Sequence, residues 1–497
     1  MYSKFILFLL LFIVDISFAQ PRMPFNKRPN IIYIYADDLG IGDIGAYGQE
    51  KIKTPNIDRL AREGMLFTRH YSSAPVCAPS RAALMTGKHT GHGQIRGNYE
   101  LGGFEDRNEG GQMPLQEGTF TIGKMLQKAG YVTGAVGKWG LGFHNNTGNP
   151  NAQGFDYFYG YYCQKQAHNH YPTHFWENGK WDSLRNKEIA VHHNDVKDST
   201  DSDAFNRFIG KDYSTTKFSE KAIAFVQKNY KTPFFLYLPF SAPHVSLQAP
   251  VEEVEAYIGQ FPEKMYSGAK GYAPNRNPIS TYAAMITYMD KQIGKLMDVL
   301  NALHIDDQTI ILFSSDNGAT FDVGGAQTPF FNSTMNLRGR KMDLYEGGIR
   351  APMLVRWPGK IVKGSKTDLL SAQYDVFATL AEISGQNIVQ TDGISFLATL
   401  LSHPKVQERH AYLYFEFPEK DGQIAIVVGK MKGVKSNLKQ NKASVWELYD
   451  LEKDPYEKNN IIAQYPDKIA EFDAIVIKNH VHPVIKEWDF VDDIIKK

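Results

Sequence analysis

The sequence predicts an α/β fold: a mostly parallel sheet flanked by helices, with a small antiparallel α+β subdomain at its C-terminal end. Three observations point there. Short apolar runs alternate with helical patterns from Asn30 to about Leu400. Several of those runs stop abruptly at charged or amide side chains. After about His403 the texture changes to closely spaced strand candidates. Strands separated by helices make parallel sheets covered on both faces, and a strand buried on both faces reads as an unbroken apolar run.

The chain opens MYSKFILFLLLFIVDISFAQ, with Lys4, an apolar run over 5–14, and small residues at Ser17 and Ala19. This is the pattern of a signal peptide over 1–19, cleaved after Ala19. A membrane anchor would need roughly 20 apolar residues, and this run is far shorter. No cysteine lies near the cleavage site, which argues against a lipoprotein anchor. The main domain is expected over 20–400 and the small one over 401–497.

Within the main domain, IIYIYA (31–36) reads as a buried strand ending in Asp37 and Asp38. A helix over 119–131 closes at Gly130 and leads into YVTGAV, which stops just before Lys138. The helical pattern over 214–230 feeds the strand FFLYLPF (234–240), with His244 soon after. A long amphipathic helix, about 281–303, precedes TIILFSS (309–315), which ends in Asp316 and Asn317. APMLVRW (351–357) is a further strand. The stretch 145–216 lacks clear periodicity and reads as a long insertion on the active face. The last part offers AYLYFEF, QIAIVVGKMKGV and VWELYDL as strands and a helix over 466–479.

With 55 basic and 54 acidic residues the chain carries no general basic excess, which argues against a nucleic-acid binder. Only Cys77 and Cys163 are available for a disulfide. They could pair, as exported proteins often require, or Cys77 could be a small buried hydrophobe. Neither reading accounts for the residues around Cys77.

In open α/β sheets ligands bind beyond the carboxyl ends of the strands, where this chain places its reactive side chains. Adjacent acids such as Asp37 and Asp38 repel, and a divalent cation relieves that repulsion. Asp316 and Asn317 could add oxygen ligands, a hard set that favours calcium or magnesium over zinc. The alternative is a pair of solvent-facing turns. Arg81 follows Cys77 by one helical turn if a helix begins near Pro79, which would put Cys77 beside a helix N-terminus favourable to negative charge. Lys138, Lys341 and His244 could complete an anion pocket.

CAPSR at 77–81 resembles the Cys-x-Pro-Ser-Arg signature of the type I, formylglycine-dependent sulfatases, within the alkaline phosphatase superfamily. The resemblance runs on through TGKHTGH (86–92), ADDLG (36–40), GKWGLG (137–142), APH (242–244), SDNG (315–318), LRGRK…LYEGGIRAP (337–352) and LYDLEKDP (448–455). It implies an alkaline-phosphatase-like domain in which a formylglycine-generating maturation enzyme oxidises Cys77 to Cα-formylglycine (3-oxoalanine). A sulfate monoester is a poor electrophile, and a sulfated serine would have no easy exit. The hydrated aldehyde attacks through one hydroxyl, and its second hydroxyl then expels sulfate. The resemblance further implies that Asp37, Asp38, Asp316, Asn317 and matured Cys77 hold calcium. By the same resemblance Arg81 orients the diol, Lys138 and Lys341 bind sulfate oxygens, and His244 with Lys341 protonates the departing alcohol.

One position departs from the family. Many members have GKWHLG, whose histidine helps remove the second proton, and here that position is Gly140. Replacement bases could be His144, His89, His168, His170 or His174. The stretch CQKQAHNHYPTHFWENGKW (163–181) interleaves aromatic and polar residues, as a sugar subsite with His168 and His170 would, though a surface loop stabilised by its aromatics reads the same way.

The expected function is therefore a sulfatase, a sulfuric ester hydrolase, acting on sugars from a sulfated polysaccharide of the ulvan, carrageenan or glycosaminoglycan type. It would be exported without a membrane anchor to the periplasm or medium, in a Gram-negative bacterium. The alternatives are a formylglycine-dependent phosphonate or phosphodiester hydrolase and a non-catalytic glycan-binding homologue.

Overall fold

The computed structural model describes residues 28–192, 196, 203–269, 271–387, 390–441 and 444–491. The signal peptide expected over 1–19 lies outside them. In chain order the strands are β1 (Asn30–Ala36), β2 (Met65–Phe67), β3 (His70–Tyr71), β4 (Val132–Lys138), β5 (Tyr157–Tyr161), β6 (His174–Glu177), β7 (Lys180–Ser183) and β8 (Phe234–Pro239). They continue with β9 (Thr309–Ser315), β10 (Met353–Arg356), β11 (Ser365–Thr367), β12 (Ser371–Ala372), β13 (Leu413–Phe417), β14 (Gln423–Val428), β15 (Met431–Lys435) and β16 (Glu447–Asp450).

Ten strands form one sheet in the order β11-β2-β10-β9-β1-β8-β4-β5-β6-β7. Its centre, β9-β1-β8-β4-β5, is parallel throughout. The strand expected over 351–357 is present as β10 but runs antiparallel to β9. A second difference concerns 145–216, read from sequence as an insertion. It contains β5, β6 and β7, which extend the sheet, with β6 and β7 as an antiparallel edge hairpin. HFWE and KWDS are too short and too mixed in polarity to show strand periodicity.

Every residue of β1 is buried, and its side chains alternate between two cores. Ile32 and Ile34 pack with Phe218 of the helix Ser214–Asn229 and Ile286 of the helix Pro278–Ala302. Ile31, Tyr33 and Tyr35 face Met125 of the helix Ile122–Lys128 and Phe377 of the helix Asp375–Ser384. Burial of each such apolar side chain contributes about 1.5–3 kcal/mol, which is why the run over 31–36 carries no charged residue before Asp37.

The second sheet, β13-β14-β15-β16, is antiparallel throughout. The helix Asp467–Asn479 covers it through Phe472 and Val476. A buried ion pair, Arg96 Nη1 to Glu416 Oε2 at 2.9 Å, ties β13 to the loop that follows the Cys77 helix.

Register brings the strand ends together. Ala36 is level with Ser315, and Tyr35 with Pro239. Asp316 N–H donates to Ala36 O at 3.1 Å, and Asp37 N–H donates to Ala242 O at 3.1 Å. Chemistry scattered from residue 37 to 317 thus gathers on the ends of four adjacent strands, β9-β1-β8-β4.

Candidate active site

The helix Cys77–Thr86 begins at Cys77 itself, two residues earlier than expected from Pro79. Proline's missing N–H is harmless here, because the first four helical N–H groups lack intrahelical partners. Residues 77–85 are all buried, and Cys77 stands at the positive end of the helix dipole. The two cysteines are not bonded to each other. Cys163 Sγ instead accepts from Gln112 Nε2 at 3.6 Å.

Two lysines approach Cys77 Sγ, Lys138 Nζ at 3.6 Å and Lys341 Nζ at 3.7 Å. Asp37 Oδ1 lies 3.4 Å away. Lys138 Nζ donates to Asp37 Oδ2 at 2.6 Å, and Lys341 Nζ to Asp38 Oδ2 at 2.9 Å. Arg81 donates to Asp316 Oδ2 from Nε at 3.2 Å and Nη2 at 2.7 Å, and to Lys138 O at 2.8 Å. Three buried cations therefore face three buried carboxylates. Burial pushes the Cys77 thiol well above its usual range, outweighing the opposite pull of Lys138 and Lys341. As a free thiol it stays neutral and would be a poor nucleophile.

The carboxylate side suits a hard cation. Asp37, Asp38, Cys77 and His244 keep one donor atom each within 4.8 Å of one another. Asn317 Nδ2 donates to Asp38 Oδ1 at 2.8 Å and to Gly318 O at 2.9 Å, while its buried Oδ1 has no partner. Asp38 holds a left-handed backbone, φ 63°, with its N–H donating to Asp316 Oδ1 at 3.0 Å. Strain of that kind persists where the surroundings fix it. Oxygen donors from Asp37, Asp38, Asp316 and Asn317 fit calcium, and with a divalent cation bound the pocket would carry net positive charge. The His244 nitrogen is the outlier in this cluster, since its Nε2 faces Lys341 Nζ at 3.0 Å.

His244 Nδ1–H donates to the carbonyl of Val245. Burial, then Lys341 and Lys138, hold the ring well below the ordinary histidine range, so it is neutral. His168 stacks on it, rings 4.4 Å apart and 15° from parallel. His170 is wholly buried behind them, with Nε2 on His244 O at 2.9 Å and Nδ1 on Ser214 Oγ at 3.2 Å. That leaves His170 no face for a ligand; it fixes the loop that carries His244.

The cleft over Cys77 is lined by Lys138, Lys341, His244 and His168 together with Asn98, Glu100, Gln164, Tyr272 and Glu419. Of the histidines considered as replacements at Gly140, only His168 reaches it. His144 stacks on Trp176, His174 stacks on Trp181 and bonds Glu109, and His89 stacks on His92 beside Asp392. Asn98 and Glu419 escaped the sequence reading because they lie in loops with no motif around them. Gln164 lies inside the stretch singled out, but nothing local marks it.

A cysteine at a buried helix start, two lysines on its sulfur and a hard-ligand cluster beside it define a sulfuric ester hydrolase of the alkaline-phosphatase-like fold. The chain belongs to the sulfatase family, whose model matches residues 29–386, with the N-sulphoglucosamine sulphohydrolase C-terminal model matching 340–478. It is 31% identical over 514 residues to the N-acetylgalactosamine-6-O-sulfatase of Bacteroides thetaiotaomicron, covering 91% of this chain and 93% of that one. It is 31% identical over 409 residues to the human N-acetylgalactosamine-6-sulfatase, covering 78% and 68%. Among solved structures Ps i-CgsB, also solved with k-i-k-neocarrahexaose, matches with a TM-score of 0.74 and 28% identity over 95% of this chain and 100% of that one. Among the described residues no helix is long and apolar enough to cross a membrane.

Proposed function

We propose that this chain removes O-sulfate from a sugar of a sulfated oligosaccharide, using formylglycine made from Cys77 by a formylglycine-generating enzyme. The observation that carries the reading is the position of Cys77 between Lys138 and Lys341, 3.6 and 3.7 Å from its sulfur, at the start of a buried helix. The relatives named for sulfated N-acetylgalactosamine and the complex with a carrageenan oligosaccharide support a glycan substrate.

Formylglycine at position 77 would supply, once hydrated, an attacking hydroxyl and a second hydroxyl for release of sulfate, and Asp37, Asp38, Asp316 and Asn317 with matured Cys77 would hold a calcium ion that would make that nucleophile more acidic. Arg81 holds Asp316 in place and adds positive charge beneath residue 77. Lys138 and Lys341 bind sulfate oxygens as charge develops there. His244 Nδ1–H is committed to Val245, so the mobile proton lies between Lys341 Nζ and His244 Nε2. That proton goes to the departing sugar oxygen. His168 keeps the His244 ring in plane by stacking.

The N-terminal segment supports export to the periplasm or medium of a Gram-negative bacterium, and the second sheet supports a division near residue 400. The test is inorganic sulfate release from 4-nitrophenyl sulfate and sulfated oligosaccharides, run beside a phosphate diester and a phosphonate ester. Sulfate release at the higher kcat/KM supports the reading. Faster diester or phosphonate hydrolysis would replace it with the rival esterase.

A further inference from the structure

One wall of the cleft is built from three segments far apart in sequence. Asn98 is its hub. Its Oδ1 accepts from Gln164 Nε2 at 3.0 Å and from the N–H of Ala78, the neighbour of Cys77, at 3.1 Å. Its own N–H donates to Glu419 Oε1. Glu419 arrives from the loop between β13 and β14, and a Cβ at Gly97 would lie 2.5 Å from its Oε1, so a side chain there would push the carboxylate aside. On the other side Gln164 is 3% exposed and is anchored by its N–H on Gln112 Oε1 at 2.7 Å. A Cβ at Gly140 would lie 3.0 Å from Gln164 Oε1, so the missing histidine side chain leaves room for that amide.

Two features are unexplained by the sulfate chemistry. Gln164 Oε1 is buried and has no hydrogen-bond partner, although its residue lines the cleft. Glu419 is a half-buried carboxylate that makes no ion pair within 4 Å among the described residues, in a cleft that must take an anion; burial raises its pKa, while Lys341 and Lys439 pull it back down. Its side chain accepts the Asn98 N–H through Oε1, and the residue lines the cleft. Glu100 nearby pairs with Lys165 at 3.2 Å, whereas Glu419 feels Lys341 and Lys439 only at longer range. A carboxylate there disfavours a second anionic group on the substrate and accepts hydrogen bonds from hydroxyl or amide N–H groups.

We propose that Gln164, Asn98 and Glu419 form a specificity wall that selects a sugar ring uncharged apart from the sulfate removed. It rejects rings that also carry a carboxylate or a second sulfate on that side. This rests on the sulfatase reading above. Gln164 Oε1 and Glu419 accept from ring hydroxyls or an acetamido N–H, and the Asn98 Nδ2 group donates. The C-terminal subdomain thereby contributes directly to choice of substrate.

The experiment measures binding to Cys77→Ser protein with calcium present, so that no turnover or maturation is involved. The probes are 6-sulfated N-acetylgalactosamine and a sulfated hexuronic acid, by titration calorimetry. The neutral ring is expected to bind at least about tenfold more tightly, the scale of a charged hydrogen bond gained against a repulsion avoided. Glu419→Gln should narrow that ratio to about threefold or less, and Gln164→Leu should weaken the neutral ring alone. Equal binding of both probes, or a ratio unchanged in Glu419→Gln, would overturn the wall. Failure of the sulfatase reading shows separately, as no sulfate release from 4-nitrophenyl sulfate by aldehyde-bearing wild type.

Discussion

Arg81 Nη2 lies 2.7 Å from Asp316 Oδ2, and both side chains are fully buried. The pair joins the helix begun by Cys77 to the carboxyl end of β9, and Asp316 hands its other oxygen to the Asp38 N–H. Geometry at residue 77 therefore depends on a contact between residues 235 positions apart in the chain.

Breaking that pair leaves an uncompensated buried charge. Arg81→Ala should lose about 3–5 kcal/mol of stability, read from denaturant midpoints. Asp316→Asn should do the same, and the double variant should fall well short of the sum, since each single change removes the same pairing.

In the proposed mechanism Lys341 and His244, 3.0 Å apart, share the proton destined for the leaving oxygen. Lys341→Ala or His244→Ala should therefore lower kcat on a sugar sulfate by about 10²–10⁴-fold. The loss should be far smaller on 4-nitrophenyl sulfate, whose leaving group needs no proton. Steady-state kinetics on the two substrates separate this from a general loss of binding.

Chelation tests the oxygen cluster. Removing divalent cations should lower the melting temperature and abolish turnover, and calcium should restore both. A ligand at 100 times its Kd adds about 2.7 kcal/mol to the folded state. Asn317→Ala removes the orphaned acceptor and should shrink the calcium-dependent rise in Tm.

His410 Nε2 lies 2.7 Å from Asp375 Oδ1 at the start of the helix Asp375–Ser384. Burial lowers the His410 pKa, but the Asp375 charge and hydrogen bond outweigh it, leaving the imidazolium favoured and the pKa raised. A raised folded-state pKa stabilises fully below the unfolded value, about 6.5, and that contribution fades as pH climbs through the folded value. His410→Gln should therefore cost more stability at pH 5.5 than at pH 9, measured by urea unfolding.

Much of the fold could be read from local pattern. β1 and β9 have apolar centres, 31–36 and 310–313, with acids just past the strand ends, and the helix Pro278–Ala302 repeats its apolar positions at helical spacing. CAPSR and SDNG carry their residues within single turns, so the centre of the site was visible too. What escaped depends on distant partners. The strands β6 and β7 are four residues each and gain their identity from pairing, β6 with β5 and β7 with β6. His170, expected at the substrate, is sealed by Ser214 and the His244 carbonyl. Asn98 meets Glu419 across 321 positions and Gln164 across 66, separations at which sequence gives no local trace.

The most direct measurement is the mass of the tryptic peptide containing Cys77, from protein produced with a formylglycine-generating enzyme. The expected result is about 18 Da less than the cysteine form, the difference between CH₂SH and CHO. An unmodified thiol in protein from its native source, or a Cys77–Cys163 disulfide, would contradict the mechanism at its first atom.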